Sequence, residues 1–216
     1  MEKMKLIAGI LVFGSLWGFS ECIIGSVLRD YNLPAGAIMT GVFAMGLMVM
    51  SRMLYRQRGM QLGMGLVAGT LRLFNPMGGC FICSAIAIMA EGVLFEILWY
   101  KISLDMHELQ RPRLSASMGI VTSYCIYVGG YIVTQVLTPV LSSAGFYLQN
   151  LVFFIPQILA SGLLAAILGG ITLPAVLATQ KLDIAMKDKL YYPITIGISL
   201  VCWLTVVANT IFILNV

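Results

Sequence analysis

Charge is what this chain has least of. Of its 216 residues only 10% are Asp, Glu, Lys or Arg, while 60% are apolar; soluble domains carry about 25% charged residues. Mean hydropathy is +0.96. A soluble globule of this length has no interior large enough for so much apolar surface, so the composition reads as an integral membrane protein. Histidine is scarcer still, with His107 the single one. That excludes a bis-imidazole haem. No long polar stretch exists either. An ATPase domain, a DNA-binding domain and a large extramembrane catalytic domain are therefore excluded, and no nucleic acid partner is expected. Fixed-period repeats and low-complexity tracts are also lacking.

What is present is a series of apolar runs. Seven can be read, at about 5–28, 35–54, 59–74, 80–100, 114–137, 148–172 and 194–214. Each approaches the ~20 residues needed to cross a bilayer, except the third, which is short. The expectation is an all-α polytopic membrane protein with about seven transmembrane helices, forming a single transmembrane domain over 1–216. The first run is longer than a signal-peptide core and contains Glu21, so it reads as a retained helix. Asp30 to Pro34 and Asn75 to Gly79 carry turn chemistry. Pro139, Pro174 and Pro193 read as helix ends, because proline cannot donate an amide and restrains the residue before it.

Orientation follows from the basic residues. With the N-terminus inside, Lys3, Lys5, Arg52, Arg56, Arg58, Lys101, Arg111, Arg113, Lys181, Lys187 and Lys189 all fall at the inner side, 11 of 13. Arg29 and Arg72 are the exceptions. The positive-inside rule then places the C-terminus outside, and the expected location is the inner (plasma) membrane, as a multi-pass protein.

Charges at mid-bilayer cost about 2.5–3.5 kcal/mol each on insertion scales and mark function or pairing. Glu96 stands beside Trp99, Tyr100 and Lys101 and is expected to reach the inner headgroups. Glu21, Arg72 and Glu91 are deeper. At 1.5 Å per residue, Glu21 lies about 24 Å and Arg72 about 20 Å from the inner ends of their helices. Glu91 lies about 16 Å below the outer end of its own. Glu21 shares a helical face with Gly14, Gly18 and Gly25. Arg72 shares one with Gly65, Ala68, Gly69 and Asn75, and Glu91 follows Cys80, Ser84 and Ala87. Small residues let helices approach closely, so all three charges are expected to face inward and to meet. They sum to minus one, which requires a protonated glutamate or a ligand with positive character. Tyr127, Tyr131, Gln135, Asn150, Gln157 and Asn209 add polarity to the outer halves. The candidate substrate-binding set is Glu21, Arg72, Asn75, Glu91, Tyr131, Gln157 and Asn209, in a polar pocket open to the outside above an apolar floor. A structural ion pair is the competing explanation for the charges.

Cys80 and Cys83 form a CxxC near the outer surface. Such a pair serves redox chemistry or half a metal site, but a zinc site wants four ligands and no second pair exists. Cys22 and Met77 are soft partners suited to Cu(I). Otherwise the cysteines and the 14 methionines read as packing residues.

The run Gly63-Met64-Gly65-Leu66-Val67-Ala68-Gly69-Thr70-Leu71-Arg72 leads into the break Asn75-Pro76-Met77-Gly78-Gly79. After it comes the helix bearing Ala85-Ile86-Ala87-Ile88-Met89-Ala90-Glu91-Gly92. This order of small-residue helix, Pro/Gly break and small-residue helix resembles the centre of the substrate-binding S-components of energy-coupling factor (ECF) importers. The resemblance implies a small membrane protein that captures a vitamin, a precursor or a metal ion from outside. It further implies docking on a transmembrane coupling protein driven by two cytoplasmic ATPases. The family usually has six helices, one fewer than read here. Its Ala-xxx-Ala docking motif is matched only by Gly14-xxx-Gly18. The N-terminal histidine of its metal-binding members is missing, so cobalt and nickel are not expected. The leading expectation is thus a solute-capture and transport component, not an enzyme, with no cofactor. Its partners would be the solute, the lipid bilayer and such a coupling complex. One alternative is a thiol/quinone oxidoreductase using Cys80 and Cys83, resembling vitamin K epoxide reductases and bacterial quinone-linked thiol oxidases only at the CxxC and its place. A structural subunit of a larger membrane complex is the other.

Overall fold

The computed structural model describes residues 2–75, 81–102, 109, 111–141, 149–179 and 188–214. Their regular structure is entirely helical. Helix α1 is one rod of three segments, the α-helix Glu2–Phe19, a π segment Ser20–Ile24 and the α-helix Gly25–Asp30. Helix α2 repeats that plan with Ala35–Ile38, a π segment Met39–Ala44 and Met45–Tyr55. The others are α3 Met60–Leu73, α4 Phe81–Leu98, α5 Pro112–Leu141, α6 Gln149–Ala178 and α7 Asp188–Leu214.

Six of these rods are long and apolar enough to cross a membrane: Lys3–Asp30, Ala35–Tyr55, Phe81–Leu98, Pro112–Leu137, Phe154–Ala178 and Leu190–Ile213. The chain is a polytopic all-α membrane protein. Helix α3 is the expected short one. Its 14 residues reach about 21 Å at 1.5 Å per residue, less than the ~30 Å of a hydrocarbon core. It nevertheless turns the chain round once between α2 and α4. The αL residues Arg56 (φ 49°) and Gly59 (φ 82°) make the tight turn into it, a conformation glycine adopts without cost.

Three prolines behave otherwise than the sequence implied. Pro174 lies inside α6, Pro193 inside α7, and α5 continues past Pro139 to Leu141. Membrane helices tolerate proline because neighbouring helices and hydroxyl side chains satisfy the released backbone groups. These helices therefore run longer than the turn signals indicated.

Contacts fix the direction of every helix. Gly14 and Gly18 of α1 meet the carbonyls of Met64 and Ala68 on α3, so these two rods run parallel. Gly65 and Gly92 lie back to back, with a Cβ on Gly65 falling 3.2 Å from the Gly92 Cα, so α3 and α4 are antiparallel. Gly130 faces Glu91, setting α5 against α4, and Gly119 meets the Gly169 carbonyl, setting α6 against α5. Gly41 meets the Ala165 carbonyl, placing α2 beside α6. Helix α7 runs alongside α1. Tyr191 donates to the Lys5 carbonyl (3.1 Å), and Trp203 Nε1 donates to Ser15 Oγ (3.0 Å). Each rod thus reverses the one before it. Lys5, Arg52, Arg56, Arg58, Lys101, Arg111 and Arg113 fall at one end of the bundle and Arg29 at the other; Lys181 and Lys187 lie outside the described residues.

The core sits between these crossings. Trp17, Met45, Met48, Met60, Met64, Phe95, Trp99 and Ile126 are fully buried. Unbranched methionines fill the irregular gaps that crossed helices leave.

The glycine crossings carry the first prediction. A Cβ on Gly119 has no room against the Gly169 backbone, whereas one on Gly197 meets nothing within 4 Å. Gly119→Val should lower stability by about 1–3 kcal/mol through overpacking, and Gly197→Ala should not lower it. Thermal unfolding in mild detergent separates the two.

Candidate functional site

A cavity of about 440 Å³ opens at the end of the bundle opposite the basic residues. That volume is in the range of about 300–1,000 Å³ found for small-molecule sites. Each neighbouring helix contributes a wall. Helix α1 supplies Glu21 and Arg29, and α2 supplies Gly36, Met39 and Thr40. Ser84, Ala87 and Glu91 come from α4, and Tyr127, Gly130, Tyr131 and Thr134 from α5; Ser161 of α6 closes the ring. Leu33 and Pro34, both exposed, stand at the mouth with Arg29. Ile88 lines the cavity and belongs to the same buried apolar cluster as Trp17, Ala44 and Met45.

Glu91 is only 9% exposed. Its Oε1 accepts a hydrogen bond from Thr40 Oγ1 (3.0 Å), and its Oε2 has no hydrogen-bond partner among the described residues. Gly130 makes space for this carboxylate, since a Cβ there would come 3.1 Å from Glu91 Oε1. Glu21 accepts from Trp17 Nε1 (3.3 Å). The two glutamates are near enough to interact electrostatically. Tyr127 and Tyr131 stack with ring centroids 4.7 Å apart and planes tilted by 35°.

The π segments explain why Glu21 looks into the cavity. In a plain α-helix it would continue the Gly14–Gly18 face towards α3 and Arg72. A π turn closes i→i+5 bonds and adds a residue, so the register slips at Ser20. Cys22 takes the α3-facing position instead. Its thiol lies 3.9 Å from the Leu71 carbonyl, and its own carbonyl accepts from Asn75 Nδ2 (3.2 Å).

Arg72 therefore stands behind the wall. Its guanidinium donates to the Asn75 carbonyl and, through Nε, to Ser84 Oγ (3.3 Å), and Ser84 lines the cavity. Arg72 and Asn75 are buried, at 4% and 0% exposure, and neither lines the cavity. Of the expected set, Glu21, Glu91 and Tyr131 come together around the space, with Arg72 and Asn75 one layer back. Gln157 lies exposed on α6, and Asn209 is half-buried on α7 beside Thr210, whose hydroxyl donates to the Phe74 carbonyl (2.8 Å). Neither belongs to the cavity. Cys80 lies outside the described residues. Cys83 is fully buried and disulfide-bonded, while Cys22, Cys125 and Cys202 are free thiols. Among the described residues no three His, Cys, Asp or Glu side chains converge as a metal site.

The hydroxyl-bearing lining residues that the sequence did not single out are Thr40, Thr134 and Ser161. Each is one hydroxyl within an apolar run, with no periodic signal. Arg29 stood out only as an exception to the charge rule.

A second polar cluster lies at the basic end. Arg52 is fully buried, donating from Nη2 to the Trp99 carbonyl (2.7 Å) and from Nη1 to Gln61 Oε1 (3.3 Å). Gln61 Nε2 in turn reaches the Met48 carbonyl (3.1 Å) and Ser51 Oγ (3.2 Å). Glu96 does not extend to the headgroups as its Trp-Tyr-Lys neighbours suggested. Its side chain is 13% exposed and sits 3.6 Å from Arg52 Nη1. The buried guanidinium offers it more than the interface does. This cluster ties α2, α3 and α4 together. Arg52→Ala should cost about 3–5 kcal/mol, because it leaves Glu96 as a buried charge without its partner; the loss would show as a lowered melting temperature in detergent.

Comparison with protein-family models, with curated proteins and with solved structures gave no match. The fold and the site define a class: a polytopic helical membrane protein with a carboxylate-lined polar cavity at one end of its bundle.

Proposed function

We propose that this membrane protein captures a small polar solute in the cavity between α1, α2, α4 and α5. Glu91 carries the reading. A carboxylate oxygen buried without a hydrogen-bond partner is costly and calls for an explanation, and Glu91 lines a space of ligand size. A solute bearing an ammonium group supplies the missing donor. The tyrosine pair adds aromatic surface that suits a cation. The two π segments support the same view, since such irregularities concentrate at functional sites. Taking the basic end as cytoplasmic, the mouth opens to the outside of the plasma membrane. The resemblance of 63–98 to ECF S-components extends the reading to uptake, with a transmembrane coupling protein and cytoplasmic ATPases as partners. Release would then require a conformation that binds the solute less tightly.

Purified protein in mild detergent should melt at higher temperature with its solute when vitamins, their precursors and small amines are tried in turn. A ligand at 100-fold over its Kd stabilises by about 2.7 kcal/mol. Glu91→Gln and Glu21→Gln should erase that gain while leaving the unliganded melting temperature close to the parent. Variants that keep the gain would remove the carboxylates from recognition.

The disulfide-bonded state of Cys83 favours one second reading, a membrane thiol oxidoreductase. Cys83→Ser should leave solute stabilisation intact if capture is the function. Loss of cellular function with binding unchanged would instead favour thiol chemistry.

A further inference from the structure

The Glu91 carboxylate is confined from two sides. From α2, Thr40 Oγ1 donates to Oε1 (3.0 Å). From α5, Gly130 brings bare backbone against it, since a Cβ there would stand 3.1 Å from both Cγ and Oε1. Thr40 is buried, at 3% exposure, and belongs to the π segment of α2. Its hydrogen bond leaves its own helix. A helical threonine readily returns its hydroxyl to the carbonyl four residues back, as Thr70, Thr134, Thr195, Thr205 and Thr210 do here. A hydroxyl has one proton to donate, and Thr40 places it on Glu91. Oε1 is thereby engaged and the carboxylate plane held, while Oε2 has no hydrogen-bond partner among the described residues. The aromatic lining is one-sided. Among the described residues its rings are Tyr127 and Tyr131, both on α5, so no aromatic cage of the kind that holds a methylated ammonium surrounds the space.

We infer that Glu91 selects a compact N–H cation, a primary ammonium, over a quaternary one, and that Thr40 is the residue that positions it for this. The inference deepens the solute-capture reading and rests on it. A primary ammonium brings the donor that Oε2 lacks. A trimethylated head brings charge but no N–H, and its bulk keeps it farther from a carboxylate that is only 9% exposed. With Oε1 held by Thr40, the carboxylate is already oriented, so a bound ammonium does not have to order it. A quaternary head, which makes no hydrogen bond, gains nothing from that orientation.

Matched pairs of probes test this by isothermal titration in detergent: n-butylamine against butyltrimethylammonium, and phenethylamine against its N-trimethyl form. At least one primary amine should bind about ten-fold or more tighter than its quaternary partner, the worth of a hydrogen bond to a charged group. Glu91→Gln should collapse that ratio. Thr40→Val should lower it and Thr40→Ser should keep it, whereas Tyr131→Leu should weaken both members of a pair alike. The ratio is read within each variant, so a change in stability alone does not mimic the effect. A quaternary form that binds as tightly as its primary amine, and is weakened more than the amine by Tyr131→Leu, would overturn the selection and leave an aromatic cation site. A ratio that survives Glu91→Gln removes the carboxylate from the selection, and one that survives Thr40→Val removes the positioning role of Thr40. Parent protein that binds no probe would overturn both the selection and the reading of the cavity as an amine site.

Discussion

Backbone-to-backbone approach at glycine is the constraint on which the rest of this bundle depends. In a bilayer the lipid is as apolar as the helix surface, so helices associate through close packing and shared polar contacts rather than by escaping water. Gly14 and Gly18 seat α1 on α3, Gly65 and Gly92 interlock α3 with α4, and Gly119 and Gly169 join α5 to α6. At each crossing a side chain would separate the rods. The large side chains, Trp17, Phe95, Trp99 and the methionines, then occupy what the crossings leave between them.

Against that packing, the cavity is a local exception with a local cause. The π segments of α1 and α2 both lie at its level, and each adds a residue to a turn. Around the same space Gly130 and Gly36 keep the facing walls thin. The same slip in register carries Glu21 from the α3 seam to the open space. Helix α7 shows the contrast. It is α-helical throughout Asp188–Leu214, rests on α1, and lines no part of the cavity.

The two polar clusters obey the same electrostatics and end differently. At the basic end Arg52 meets Glu96, Gln61 and the Trp99 carbonyl, while Arg52 Nε and both Glu96 oxygens have no hydrogen-bond partner among the described residues. At the other end Glu91 retains an oxygen without a donor beside a space of ligand size. Opposite charges held in contact tie helices together, whereas an unpartnered carboxylate oxygen beside a void is a place for a ligand. That difference separates scaffold from site, although both clusters look alike as isolated charges in apolar runs.

Composition and spacing determined the class of this protein. The scarcity of charge demanded a bilayer, the apolar runs determined seven helices with a short third, and the small-residue stripes around Glu21, Arg72 and Glu91 marked helix faces that pack on protein. Those properties depend on local sequence alone, because insertion and helix formation are decided within about 20 residues. The tertiary structure decided which polar groups meet. Glu21 faces the cavity with Glu91 across a π segment, while staying near enough to Arg72 to interact electrostatically, and regular α-helical spacing carries no sign of that segment. Glu96 turned to Arg52 because a partner 44 positions away proved to be buried beside it. Thr40, Ser161 and Arg29 reached the cavity, while Gln157 and Asn209 did not, because helix rotation about its own axis is set by neighbours and not by the helix's own residues.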